Sequence, residues 1–397
     1  MFFDSLEQLP IDPIFGLSSK FEADQRKEKV DLGIGFYRAE DLCAKPFEAI
    51  LQAKKIFQKE AETAKYQAIE GNALFCNLAG NLIFGKDLFS KYKKSMAKVQ
   101  SIGGTGALRL AGEFLYPLSN KELFLPDPTW TNHTSIFSKV GFSIHAYPYY
   151  CSKKKSLDFE AMHSFLSKAK ERSILLLHAS SHNPTGCDPS KEDWKEVLEI
   201  CKKKKLFPLF DLAYQGFGEG LQKDAFPIRL FLKEEYSFAV CATYSKVFGL
   251  YRERVGALFF FCEDKKKSDI VLSHAKKLVR VSYSNPPYYG SRLISLILHS
   301  KKLSALWEKE LEERRIRIQK LRGQLVDTLE KNHCPIDFSF IKNHKGIFSF
   351  CNLKREEVKQ LITQYAVYLL DNGRINVSGL NKNNLDYVAK AICNVVQ

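Results

Sequence analysis

A chain of 397 residues is long enough for two or three domains around a large buried core. With 45% hydrophobic and 26% charged residues it sits near the average of globular proteins, which argues against disorder, and no window approaches the ~20 apolar residues of a spanning helix. The net charge of +15 comes largely from short lysine runs such as Lys202–Lys205 and Lys265–Lys267, which lack interleaved aromatics and read as solvated surface, not as a nucleic-acid face.

The N-terminus carries Asp4 and Glu7 and no basic segment, so it does not read as a signal peptide, and a cytoplasmic location is expected. The ten cysteines are scattered without a CxxC pair, and the nine histidines form no HExxH. Neither a disulfide framework nor a metal site is expected.

The first chemical signal along the chain is Ile102-Gly103-Gly104-Thr105-Gly106, opening a helical pattern. Glycines there let backbone N–H groups approach a phosphate. A dinucleotide fingerprint fails, because Arg109 stands where its third glycine belongs. Ile174–Leu177 then reads as a buried strand, followed by the turn Ser181-His182-Asn183-Pro184-Thr185-Gly186, whose proline is a candidate for a cis bond. Ser190 and Asp193 resemble a capping box, and Trp194, Val197, Leu198 and Cys201 continue at helical spacing to Lys205.

Phe207–Leu212 is the next buried strand, with the acid Asp211 inside it and Tyr214 just after. A buried carboxylate needs a cationic partner; a structural ion pair is the common one and a protonated cofactor ring nitrogen the chemical one. Phe238–Cys241 and Val255–Phe261 complete the series. Between them stands Thr243-Tyr244-Ser245-Lys246, with Arg254 eight residues on. A lysine ending a buried strand suits a Schiff base, and two hydroxyls with an arginine suit a phosphate. Strand, helix, strand in this rhythm predicts a mostly parallel sheet with ligands at the carboxyl ends of its strands. A long helix is predicted over about Lys302–Glu330, with Glu310–Arg314 and Glu313–Arg317 as i,i+4 pairs, and short strands at Ile347–Phe350 and Ile375–Val377.

Each signal alone is ordinary, but their order is not. From Gly104 through Trp130, Asn183, Asp211, Tyr214, Lys246 and Arg254 to Arg374, with SHNPTG, FDLAYQGF, YSKVFGLYRERVG and YSNPP, the chain resembles the fold-type I aminotransferases, and within them the class I aspartate and aromatic amino acid subgroup. The resemblance implies an α/β fold. A large pyridoxal-phosphate domain (46–313) would hold a mostly parallel seven-stranded sheet covered by helices. A smaller α+β domain would come from both chain ends (12–45 and 314–397), and an N-terminal arm (1–11) would pack on a partner.

By the same resemblance, Lys246 holds pyridoxal phosphate as a Schiff base and shuttles the substrate α-proton. Asp211, supported by His133, pairs with the ring nitrogen; Tyr214 and Asn183 bond the phenolic oxygen; Trp130 stacks on the ring. Gly103, Gly104, Thr105, Thr243, Ser245 and Arg254 cradle the phosphate with Tyr66 of a second subunit. Arg374, Gly35 and Asn183 take the substrate α-carboxylate. Arg280, also from the second subunit, reads a distal carboxylate, and Ile14 and Phe15 line the mouth of the site. The implied reaction is ping-pong transfer of an amino group from aspartate, glutamate or an aromatic amino acid to a 2-oxo acid, in a homodimer with shared sites. A narrower aromatic enzyme and a catalytically inactive nucleic-acid-binding relative are the alternatives. Thr243 stands where serine is common in the family, and its hydroxyl preserves the chemistry. Phe36 and Lys65 depart from the pattern of bacterial aspartate enzymes and leave the preferred donor open.

Overall fold

The computed structural model describes residues 1–60 and 65–396. The chain divides into two compact units. The larger comprises 45–319 and 343–346, and the smaller 1–44, 320–342 and 347–397. Among the described residues no helix is long and apolar enough to cross a membrane.

The larger unit is built on a seven-stranded sheet. In chain order its strands are β1 (Met96–Ile102), β2 (Glu122–Asp127), β3 (Ser143–Pro148), β4 (Ile174–His178), β5 (Phe207–Leu212), β6 (Phe238–Thr243) and β7 (Val255–Phe261). Their spatial order is β1-β7-β6-β5-β4-β2-β3. β7 runs antiparallel to both neighbours, and every other pairing is parallel. The central strands β4, β6 and β7 are buried along their whole length, which is why they read as unbroken apolar runs. The core joins Val99, Leu108, Phe137, Leu176, Leu209 and Leu258, from the strands and the helices laid on them.

Helix boundaries follow local chemistry. Helix Lys191–Lys204 opens on a capping box: Asp193 N–H donates to the Ser190 hydroxyl at 3.1 Å, and Ser190 N–H to the Asp193 carboxylate at 2.8 Å. The long helix runs Lys301–Lys331. Its Glu310 accepts from the N–H groups of Glu48 and Ala49, capping helix Glu48–Phe57, while Arg314 lies on the Phe47 ring, 3.5 Å from its centroid.

The smaller unit carries two short strand pairs. Val30–Asp31 runs parallel to Val367–Tyr368, and Phe348–Phe350 antiparallel to Arg374–Asn376. The second pair sits one residue from the expected segments. Val377 enters a 3-10 turn that Asn376 caps by accepting the Ser378 N–H.

Candidate active site

Sheet register assembles the site. His178 is opposite Asp211, Asp211 is opposite Cys241, and Thr243 is opposite Gly256. The carboxyl ends of β4, β5 and β6 therefore deliver His178, Asp211 and the Thr243–Lys246 segment to one edge.

Asp211 is almost wholly buried, and His133 Nε2 lies 3.1 Å from its carboxylate. Hydrogen bonding fixes the proton positions behind this pair. The Asn183 backbone N–H can only donate, so His178 Nδ1, 3.2 Å away, accepts. His178 Nε2 then carries the hydrogen and donates to Thr129 Oγ1 at 3.3 Å. The Thr129 hydroxyl donates in turn to His133 Nδ1 at 2.8 Å, and His133 Nε2–H donates to Asp211. Burial alone would push the Asp211 carboxyl up. The hydrogen bond from His133 and the Lys246 charge together hold it below its ordinary value. The result is an ionised carboxylate in an apolar wall, able to keep a facing ring nitrogen protonated.

Lys246 is half-buried, its Nζ 5.3 Å from the centre of the Tyr214 ring. Next to it is a set of anion donors. Ser245 Oγ accepts from Arg254 Nη1 at 3.1 Å and lies 3.2 Å from Thr243 Oγ1. Facing them is the start of helix Gly103–Leu115. A Cβ on Gly103 would come within 2.6 Å of Arg254 Nη2, and one on Gly104 within 3.1 Å of Thr243 Cβ. Gly103 also has φ +65°, in the left-handed region that favours glycine. Bare backbone, a helix N-terminus, two hydroxyls and a guanidinium form a cradle that fits a phosphate. Trp130 meets the His133 ring edge-on at 5.2 Å.

Four residues were missed by sequence reasoning: Thr129, which links His178 to His133, and Tyr149, His178 and His182, which stack. Tyr149 stacks on His182 at 3.8 Å, His182 stacks on His178 at 4.2 Å, and His178 meets His133 at 5.2 Å. Burial pushes His178 down to about 3 and His182 well below the ordinary histidine value, so both are neutral. The only sequence signal was the His178-x-x-x-His182 spacing beside the proline turn. In that turn Asn183–Pro184 is cis, and the Asp188 carboxylate accepts from Ser181 and His182 N–H at 2.7 and 2.9 Å.

Arg374 and Gly35 belong to the smaller unit. There Arg374 Nη2 donates to the Gly33 carbonyl at 2.6 Å, and its guanidinium lies 4.0 Å from the centre of the Phe348 ring. Asn376 Nδ2 holds the carbonyls of Ile34 and Phe36 at 2.7 Å each, which pins the loop around Gly35. The Phe36 ring is 5.0 Å from the Arg38 guanidinium. Tyr66 is 92% exposed, Phe15 69% exposed, and Arg280, Lys65 and Thr105 are not buried either. Arg280 donates to the Ser284 hydroxyl.

Residues 27–392 match the family described as aminotransferase class I and II. The chain belongs to this aminotransferase family. It is 41% identical to the mitochondrial aspartate aminotransferase of Dictyostelium discoideum over 99% of this chain and 93% of that one. Its identity to the aspartate aminotransferase of Pseudomonas aeruginosa is 39%, over 99% of both. Among solved structures, the aromatic-amino-acid aminotransferase of Burkholderia pseudomallei, covalently bound to pyridoxal phosphate, superposes with TM-score 0.97 at 38% identity over 100% of both chains. The cytoplasmic aspartate aminotransferase of Saccharomyces cerevisiae gives 0.94 at 37%, over 99% of this chain and 98% of that one. This aminotransferase is accordingly an enzyme dependent on pyridoxal phosphate, and its fold is that of the family. The residues present fit the cofactor: the glycine-walled cradle suits its phosphate, and the ionised Asp211 suits a protonated ring.

Proposed function

We propose that this aminotransferase moves amino groups from aspartate, glutamate and aromatic amino acids to 2-oxo acids such as 2-oxoglutarate, in the cytoplasm, as a homodimer with shared active sites. One observation carries the reading. The half-buried Lys246 amine, the Asp211 carboxylate with its histidine support, and the cationic cradle at Gly103 and Arg254 converge at one edge of one sheet. When bound there, pyridoxal phosphate supplies an electron sink and a carrier for the amino group.

The chain's own residues do the rest. Lys246 holds the cofactor covalently and moves the proton at the substrate α-carbon. Asp211 keeps the ring nitrogen protonated. Tyr214 and Asn183 donate hydrogen bonds to the phenolic oxygen, and Trp130 covers one ring face. Gly103, Gly104, Thr105, Thr243, Ser245 and Arg254 hold the phosphate. Arg374, with Gly35 and Asn183, takes the α-carboxylate in a fork that lysine could not reproduce.

Tyr66 and Arg280 serve the partner's site, and the N-terminal arm packs on the partner. Support comes from their exposure on a single chain: Tyr66 at 92%, and in the arm Phe2 at 92% and Leu9 at 83%. Exposed apolar side chains in such a row mark an interaction surface. The small domain (12–45 and 314–397) would supply the α-carboxylate site, and the large domain (46–313) the cofactor site.

Arg280 is the test of substrate choice. In Arg280→Ala, kcat/KM for aspartate should fall by about a hundredfold or more, because a carboxylate enters a dehydrated pocket without its partner. Phenylalanine should lose less than about tenfold. Equal losses for both donors would show that Arg280 does not read the side chain.

A further inference from the structure

Two thiols of the smaller unit meet at the end of the long helix. Leu329, in its last turn, presents a carbonyl that accepts from the Cys334 N–H at 3.1 Å and from the Cys393 thiol at 4.0 Å. The Cys334 N–H and the Cys393 thiol thus share one acceptor, which brings the two cysteines side by side. They come from segments 59 positions apart: Cys334 from the turn after Lys301–Lys331, and Cys393 from helix Leu385–Val395. Left-handed His333, with φ +52°, turns the chain so that Cys334 folds back onto the helix end. Neither residue belongs to the cluster around Lys246.

We propose that Cys334 and Cys393 are a thiol pair that closes to a reversible intramolecular disulfide on meeting an oxidised small-molecule disulfide. Both thiols are half-buried, but Cys334 lies on a turn between two exposed residues, His333 and Pro335, whereas Cys393 lies on a helix between buried Ile392 and exposed Asn394, so Cys334 sits on the more open segment. Burial, and then the neighbouring Cys334 thiol, push the Cys393 thiol up to about 12. Cys393 is therefore the slower nucleophile and the resolving partner. Cys334 thiolate attacks one sulfur of the reagent; its S–S bond breaks and one thiolate leaves and takes a proton. Cys393 then gives its proton to water and attacks the Cys334 sulfur, displacing the second thiolate. In sum two protein thiols are oxidised and one external disulfide is reduced to two thiols. The product staples the end of the long helix to the C-terminal helix.

The test uses the cofactor-loaded enzyme, with Cys43→Ser to remove an exposed competing thiol. It is incubated with oxidised glutathione, quenched with an alkylating agent, digested and mapped by mass spectrometry. The expected product is a peptide joining Cys334 to Cys393, with a loss of about 2 Da from the intact chain that dithiothreitol restores. Hydrogen exchange around Leu329–Cys334 should slow in the oxidised form. With Cys393→Ser added, glutathione should accumulate on Cys334. With Cys334→Ser instead, Cys393 should stay reduced over the same time. A stable glutathione adduct on Cys334 while Cys393 remains alkylatable, or both thiols fully alkylatable after exposure, would overturn the proposal.

Discussion

Asp211 shows how one residue's chemistry is set by neighbours that the sequence names only indirectly. Its place in a buried strand and the motif around it were legible, as was Lys246 after β6. The directional chain from Asn183 N–H through His178, Thr129 and His133 was not, because it depends on strand register and a turn, not on spacing along one segment. Burial works against a charged carboxylate, and this chain outweighs it. An Asp211→Asn variant should still bind the cofactor, since the phosphate cradle is intact. It should lose α-proton abstraction by about a hundredfold or more, measured as the single-turnover rate with aspartate. A near-normal rate would remove the ring-nitrogen role from Asp211.

Among the elements, those with a strong local signal were readable. The capping box at Ser190 and Asp193, the run Val255–Phe261 and the long helix stand close to where periodicity puts them. Less readable were the bends that feed the sheet. Arg172 before β4 and Lys205 before β5 both take left-handed backbone, at φ +63° and +47°, where glycine is the usual signal. With no glycine to mark these turns, only the buried strands that follow reveal them. Lys205 is exposed and closes helix Lys191–Lys204 with its N–H on the Cys201 and Lys202 carbonyls. Its surface ion pair with Glu171 is worth little. Lys205→Gly should therefore stabilise the protein by about 0.5–1 kcal/mol in urea unfolding, and Lys205→Val should destabilise it. An unchanged or lower stability for the glycine variant would contradict the strain argument.

At the scale of the whole molecule, apolar patterning and motif order exposed the sheet and the chemical class, because both are written along the chain. The partners proposed for Tyr66, Arg280 and the arm are not, since they would lie on another copy. Shared sites make a sharp prediction for a two-fold dimer. Lys246→Ala and Arg280→Ala homodimers should each be nearly inactive towards aspartate. Their co-expressed hybrid should recover about half of wild-type activity, because one of its two sites receives both intact residues. A verified hybrid without rescue would place Arg280 in the site of its own chain. The central claim, that Lys246 carries the cofactor at the end of β6, has a more direct test. The purified enzyme, supplied with pyridoxal phosphate, is reduced with borohydride, and its peptides are mapped by mass spectrometry. A pyridoxyl group on the peptide containing Lys246 is the predicted result; the label on another lysine, or on none, would contradict it.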